Sequence, residues 1–561
     1  MAKKTVQPVA VQALTPEDQI HELASKLMKI SNKLRGKVDA SQFKDYILGI
    51  IFYRYLSEQT VDYIESLLKK DNKTYLEAIN DHEYNEAIAD ILADAEDAEG
   101  FEASFSGLVK YWSISHLGYV IEPKYLFSNL YRKALIKEDR TVNPDKFSVD
   151  DLDKALKELV KSTEGHPSEP VFNGLFDDVL SFSRLGKQVE EQSRKIAQLI
   201  VEIGQLSFNI KNAKIDILGT AYMELIGQFA SQAGKKAGEF FTPICASKLL
   251  AKLATVGLEE AKYVCDPAAG SGSLLLQVKE ALPKHQIIRF YGQEYVDSTY
   301  SLLRMNLLLH KIPYTNFTVY NDDTLNNDNF YDDNTGKPIK FTVQVANPPF
   351  STEWTPKLNL KDDPRYKSGG LPSTQYGEMG FVEHMAYHMD EDGRVAVILP
   401  HGVTTRKEEY NIRKYLIDKN YVDAIISLPA NMFHTTSSAV LIMVLKKNRN
   451  GNADNILFIN ASKDFTKGRP KNYLTDEQID RIVQAYIDRK NIDKYSSVVP
   501  IAEIIDEKKN DYNLSINRYV NNSENEEFID IQEKREELKT LNIKVIHMDL
   551  KLQNWFKQLG I

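Results

Sequence analysis

Between about residues 215 and 450, short apolar runs alternate with segments of helical character. The runs are 262–265, 287–291, 343–346, 395–399, 424–428 and 440–445, and residues 274–281 between the first two carry a helical pattern. This rhythm constrains the fold more than any other feature of the chain. Successive strands joined through helices build an open, mostly parallel sheet, because each crossover lays a helix over one face or the other. The expectation is an α/β domain over 215–450 whose loops emerge at the carboxyl ends of the strands.

The flanks read differently. Residues 16–165 are helical in pattern: Phe43, Ile47, Ile50, Ile51 and Tyr55 recur at helical spacing, with Lys44, Asp45 and Glu58 on other faces. Asp39 and Ser41 stand before that run as possible caps. A helical connection follows over 166–214, with a long helix at 189–206. Residues 1–15 read as a flexible tail, and 451–520 as a mixed C-terminal part of the core. From 521 a polar, acidic linker leads into a heptad helix ending at 561. There Ile531, Leu538, Val545, Leu552 and Leu559 recur every seventh position, and Leu541, Met548 and Trp555 complete an a/d seam. Such a seam serves either a partner helix or a fold back onto its own chain.

The chain has 561 residues and a net charge of −9. That balance argues against coating nucleic acid by diffuse charge, and leaves room for a local patch or for a partner that grips. Its two cysteines, Cys245 and Cys265, have no zinc or disulfide spacing. No metal is expected, and the sparse cysteine fits a reducing cytoplasm. No stretch reaches the roughly 18 apolar residues of a membrane span, and the N-terminus has no signal-peptide core.

Three motifs close strands of the expected sheet. Asp266-Pro267-Ala268-Ala269-Gly270-Ser271-Gly272-Ser273 follows the run ending at Cys265. A strand ends, a glycine turn follows and a helix opens; Gly270 and Gly272 let backbone approach a ligand, and the helix start offers free N–H groups. The spacing is not that of a dinucleotide pyrophosphate loop. Alone, such a turn is often only a turn. Glu294 ends the next run, roughly twenty residues on, where an acid can accept both hydroxyls of a ribose. Coupled to the glycine turn, that reading outweighs a solvated glutamate. Asn347-Pro348-Pro349-Phe350 ends a third run. The prolines stop the strand and free its carbonyls. Asn347 Oδ1 and the Pro348 carbonyl can accept two N–H bonds from one planar amino group, and Phe350 can stack on its ring. Accepting both hydrogens draws the amine out of conjugation and frees its lone pair to attack an electrophilic methyl.

The glycine motif followed by Asn-Pro-Pro-Phe resembles the amino-methyltransferases. The resemblance implies a Rossmann-like domain in which the first motif holds S-adenosyl-L-methionine and the second holds the target amine. Gly238-Glu239-Phe240-Phe241-Thr242-Pro243, continued by Ile244, resembles the segment that closes over the methionine end of the cofactor. Asn321-Asp322-Asp323-Thr324-Leu325 resembles the third strand end, which places Asp323 on the cofactor's adenine. The motif order is that of the gamma class of DNA amino-methyltransferases. Leu34-Arg35-Gly36, Asp216-Ile217-Leu218-Gly219, Leu428-Pro429-Ala430-Asn431-Met432-Phe433 and Asn513-Leu514-Ser515-Ile516-Asn517-Arg518-Tyr519 further resemble the modification subunit HsdM of type I restriction–modification systems.

That family implies methyl transfer to adenine N6 in double-stranded DNA, with the base flipped out of the stack. It also implies two modification subunits on one specificity subunit (HsdS), which reads the sequence, and a restriction subunit (HsdR) that adds cleavage. Residues 351–380, with Lys357, Lys361, Arg365 and Lys367, have the composition of a mobile loop beside the target base, where a phosphate contact and a plain surface loop are both open. Competing readings are a non-catalytic assembly scaffold, and amino-methylation of cytosine N4 or of a protein glutamine. The residue before the two prolines is more often serine in the cytosine enzymes, so Asn347 favours adenine.

Overall fold

The computed structural model describes residues 15–34, 40–86, 104–136, 145–208, 216–233, 241–282, 289–520 and 531–559. Its N-terminal part is helical, with principal helices at Pro16–Leu34, Ala40–Leu67, Phe105–Leu117, Val149–Lys161, Val189–Gly204 and Ile217–Ala233. Local chemistry sets several starts. Ser148 and Asp151 form a reciprocal capping box, and Ser104 accepts from the Gly107 N–H. Asp39 lies outside the described residues, and Ser41 falls inside the first turn of its helix.

The helix Ala40–Leu67 differs from its expected one-sided pattern. Phe43, Ile47 and Ile50 are buried, but so are Tyr46, Phe52, Tyr53 and Leu56. Other helices wrap it, so it is the axis of this part of the molecule. Asp45 is therefore largely withdrawn from water: burial raises its pKa to about 6, with Arg184 3.8 Å away.

Nine strands form one mixed sheet. They are β1 (Tyr263–Asp266), β2 (Arg289–Glu294), β3 (Phe317–Asn321), β4 (Phe341–Ala346), β5 (Met389–Pro400), β6 (Val422–Ser427), β7 (Val440–Lys446), β8 (Asn455–Asn460) and β9 (Ser496–Pro500), in the order β3-β2-β1-β4-β5-β7-β6-β8-β9. β1 to β5 pair in parallel. β7 enters antiparallel between β5 and β6, and β8 runs parallel to β6. β8 and β9 carry the sheet on to Pro500, within the stretch read as mixed.

Both faces are covered, which is why the strands read as continuous apolar runs. Val343, Val345, Ile398, Ile442 and Val444 join the core shared with the N-terminal helices. Val395, Val397, Leu399, Leu441 and Met443 point the other way, into a core closed by the helices Glu378–His388 and Tyr410–Asp418. Arg304, on the helix Asp297–Leu309, donates to the Asn173 and Val171 carbonyls at 2.6 and 3.1 Å and ties the helical part to the sheet.

Strand order reverses between β1 and β4. In open α/β sheets the crevice at that point, beyond the carboxyl ends of the strands, takes the ligand. The turn after Asp266, the end of β2 at Glu294, the residues after Asn321 and the turn after Ala346 all sit along this one edge. In the final helix, Ile531–Leu559, the described seam side chains show none of the burial a fold-back would give: Leu538, Leu541, Val545, Met548, Leu552 and Trp555 are all exposed.

Candidate functional site

The glycine turn is built from bonds on both sides. The Ala268 N–H donates to Asp266 Oδ1 at 3.0 Å, and the Ala269 N–H to the Gln293 carbonyl at 3.0 Å. Gly270 and Gly272 have φ of 54° and 79°. A Cβ on Gly272 would stand 2.7 Å from Leu303 Cδ1, so backbone angle and space both demand glycine there. Gly272 caps the helix Ser273–Ala281. Asn306 Nδ2, from the buried face of the helix Asp297–Leu309, donates to the Ser271 carbonyl at 2.7 Å and fixes the turn from below.

Glu294 meets this turn directly. Its Oε2 accepts from the Gly270 N–H and its Oε1 from the Val296 N–H, both at 2.9 Å. Burial raises the Glu294 pKa, and burial together with the nearby Glu294 charge lifts Asp266 to about 8. Two carboxyls crowded beside a glycine turn and a helix start are placed to receive a group with hydroxyl and amino donors. Asp266 Oδ2 and Ser271 Oγ are buried and have no hydrogen-bond partner, so polar capacity remains for such a group.

Asp323 lies one strand further out. Its Oδ1 accepts from the Leu325 N–H at 3.0 Å and its Oδ2 from Asn326 Nδ2 at 2.7 Å. Thr324 Oγ1 donates to the Pro267 carbonyl at 2.6 Å, binding this strand end to the first motif.

Asn347 closes β4 next to β1. Its Nδ2 donates to Thr242 Oγ1 at 3.0 Å, while its buried Oδ1 has no partner. Pro348 is buried, and Pro349 and Phe350 are half-buried. The turn is pinned beyond Phe350 by the Ser351 N–H, which donates to Glu378 Oε1 at 2.6 Å; Glu378 is fully buried. Thr242 thus joins the segment expected to close over the cofactor to the segment expected to hold the amine. Phe241 is buried and lies where a Cβ on Gly227 would strike it; Pro243 leads into the helix that Ile244 begins. Glu239 and Phe240 lie outside the described residues.

The structure gathers Asp266, Gly270, Ser271, Gly272, Ser273, Glu294, Asp323 and Asn347 along one edge. Sequence reasoning passed over Asn306, although a lone amide among leucines was a visible signal. Residues 351–380 depart from the expected mobile loop. Arg365 is buried, donating to Asp363 Oδ2 at 2.7 Å and the Thr324 carbonyl at 2.6 Å, and Trp354, Leu360, Tyr366 and Phe381 pack as a small core with Leu325. Arg365 is an anchor here, closed to phosphate. Asp328, His384 and His388 bring ligand atoms within 4.8 Å of one another, but the Arg365 guanidinium stands 3.1 Å from His384 Nδ1 and already supplies positive charge.

A doubly wound sheet with a glycine turn on β1, an acid on β2 and Asn-Pro-Pro-Phe on β4 defines a methyltransferase whose acceptor is an amino group. Residues 213–528 match the N-6 DNA Methylase family and residues 23–203 the HsdM N-terminal domain. The chain belongs to the N-6 DNA methylase family and is a DNA methyltransferase. It is 34% identical over 557 residues to the type I restriction enzyme MpnII methylase subunit of Mycoplasma pneumoniae, covering 95% of this chain and 97% of that one. It is 32% identical over 424 residues to the MjaVIII methylase subunit of Methanocaldococcus jannaschii, covering 73% and 69%. The crystal structure of a type I restriction–modification methyltransferase subunit from Streptococcus thermophilus superposes with a TM-score of 0.75 at 33% identity, over 89% of this chain and 99% of that one. No helix among the described residues is long and apolar enough to cross a membrane.

Proposed function

We propose that the chain transfers a methyl group from S-adenosyl-L-methionine to adenine N6 in duplex DNA, as the modification subunit of a type I restriction–modification complex. The observation that carries this is Asn347: its amide is held by Thr242 with the buried Oδ1 unpartnered. An acceptor in that state, followed by two prolines and an aromatic ring, suits a planar exocyclic amine. When bound, the cofactor supplies an electrophilic methyl. Glu294 would hold its ribose, Asp323 its adenine, and Asp266 with residues 270–273 its methionine side, under the segment containing Glu239, Phe240, Phe241, Thr242, Pro243 and Ile244. Asn347 Oδ1 and the Pro348 carbonyl accept from the amine and Phe350 stacks on the flipped base. The proton leaves the methylated nitrogen readily, so no strong base is needed beforehand.

The chain would act with a specificity subunit, two copies to one, and with a restriction subunit where the system cleaves. The exposed apolar seam of Ile531–Leu559 supports a helical partner. The test is transfer from labelled S-adenosyl-L-methionine to unmethylated duplex DNA, with and without the specificity subunit. Label on adenine N6 only with both proteins is the expected result. A stable complex that binds cofactor and transfers nothing would favour a scaffold.

A further inference from the structure

We propose that residues 463–473 form a phosphate-binding loop that grips duplex DNA beside the methyl-transfer site. The sequence there is Lys463-Asp464-Phe465-Thr466-Lys467-Gly468-Arg469-Pro470-Lys471-Asn472-Tyr473, with four cations against one acid in a chain of net charge −9. The acid is taken: Asp464 is buried, bound by Arg481 at 3.0 Å and by the Tyr495 hydroxyl at 2.6 Å. Lys467 and Arg469 are exposed, and among the described residues they have no ion pair. Phe465 and Tyr473 flank them with exposed rings. Basic residues interleaved with exposed aromatics suit a nucleic-acid backbone, whose contacts come chiefly from cations reaching phosphate.

The loop has a built shape. The Thr466 N–H donates to the Tyr473 carbonyl at 2.9 Å and the Tyr473 N–H to the Thr466 carbonyl at 3.1 Å. A Cβ on Gly468 would collide with the Lys471 carbonyl, so the turn closes only with glycine. Lys471 Nζ donates to Asn431 Oδ1 at 3.2 Å, and Asn472 Nδ2 to the Ala430 carbonyl at 3.0 Å, which clamps the base of the loop to the turn after β6.

Position ties it to the chemistry. β8 points the same way as β4, since two antiparallel pairings separate them, so the loop leaves the sheet on the edge that carries Asn347. Leu474, next in the chain, has its backbone against the Cys245 thiol. Cys245 lies three residues along the chain from Thr242, the residue that holds Asn347. The following helix, Asp476–Asp488, is fixed to Ile244–Thr255 by Lys248–Asp476 at 3.1 Å and Lys252–Asp480 at 2.5 Å. Cations so placed would hold the duplex against the site while the specificity subunit reads it, which reconciles an acidic chain with a nucleic-acid substrate.

The choice of duplex DNA rests on the proposed function. The test measures DNA affinity of the full chain in complex with its specificity subunit, over a range of salt, for wild type, the double variant Lys467→Gln with Arg469→Gln, and the charge-keeping double variant Lys467→Arg with Arg469→Lys. The first should bind about tenfold more weakly on every DNA sequence, with the slope of log K against log salt reduced by about 2, while the second keeps both. Cofactor affinity should not change. An unchanged slope and affinity in the Gln variant would overturn the proposal, as would a defect confined to joining the specificity subunit. If wild type transfers no methyl yet the slope changes as expected, the loop stands and the enzymatic reading falls.

Discussion

Replacing Asn347 with alanine separates the two jobs assigned to this edge of the sheet. The substitution removes Oδ1, the acceptor aimed at the amine, and Nδ2, whose 3.0 Å bond anchors it to Thr242. Folding should feel this little. One hydrogen bond is lost, a net cost of about 1 kcal/mol, and a buried unpartnered acceptor disappears, which returns a similar amount. Catalysis should feel it strongly. Withdrawing one preorganised hydrogen-bond partner from a developing charge lowers kcat by about 10²–10³-fold, or roughly 3–4 kcal/mol. The carbonyl of Pro348 remains and cannot orient the amine alone. Single-turnover transfer from labelled cofactor gives the chemical step, and equilibrium titration gives cofactor affinity, which should stay within about twofold. A variant that transfers at the wild-type rate, or one that loses cofactor binding along with transfer, would refute the role given to Asn347.

Three further outcomes are expected. Glu294→Ala removes the acceptor on Gly270 and Val296 that would otherwise take the ribose; cofactor affinity should fall about 10–100-fold by calorimetry, as for a hydrogen bond to a charged group, and an unchanged affinity would take Glu294 out of the ribose site. Asp266 keeps a proton in the native state up to about pH 8, whereas the unfolded chain loses it near 4. The native state therefore binds the extra proton between these values, and its contribution to stability falls as pH rises through that window, by up to about 1.4 kcal/mol per unit. Asp266→Asn should flatten that slope in urea unfolding of cofactor-free protein; an unaltered slope would show that another group sets it. Deleting residues 528–561 should block assembly with the specificity subunit and leave the unfolding midpoint of the rest unchanged, because the described apolar side chains of that helix, from Leu538 to Phe556, are exposed; normal assembly would leave the seam without its proposed partner.

Much of the sheet was legible because its strands are buried on both faces, which writes them as unbroken apolar runs. β1, β2, β4, β5, β6 and β7 each overlap a run visible in the sequence. β3 is an edge strand with a half-buried, polar-flecked pattern, and only the resemblance at Asn321 pointed to it. β9 is the opposite edge and half-buried, and a loop and the helix Asp476–Asp488 separate it from β8, so this end of the sheet showed no strand rhythm. The glycine turn and Asn-Pro-Pro-Phe were legible as motifs because backbone conformation demands those residue types. What composition misjudged was charge. Arg365 counted as a loop cation, yet its partners Asp363 and the Thr324 carbonyl take it into the interior. Lys467 and Arg469, which the sequence reading did not single out, are exposed and among the described residues have no ion pair. Only the fold shows which cations already have partners.

That distinction bears on how an acidic chain handles DNA. If Arg365, rather than the exposed Lys361 and Lys367 beside it, were part of the grip, the turn after Phe350 would have to release it to meet a phosphate. Arg365 holds the carbonyls of Thr324 and Leu325, beside Asp323, and its release would disturb the strand end expected to hold the cofactor's adenine. Substrate binding would then oppose cofactor binding. With the grip on residues 463–473, the bonds around Glu294 and Asp323 need not break: that loop is braced by Asn431 and, through Arg481 on Asp464, by the helix Asp476–Asp488. DNA can then arrive and leave while the cofactor edge keeps its geometry, and the salt dependence of DNA binding should be the same with and without cofactor.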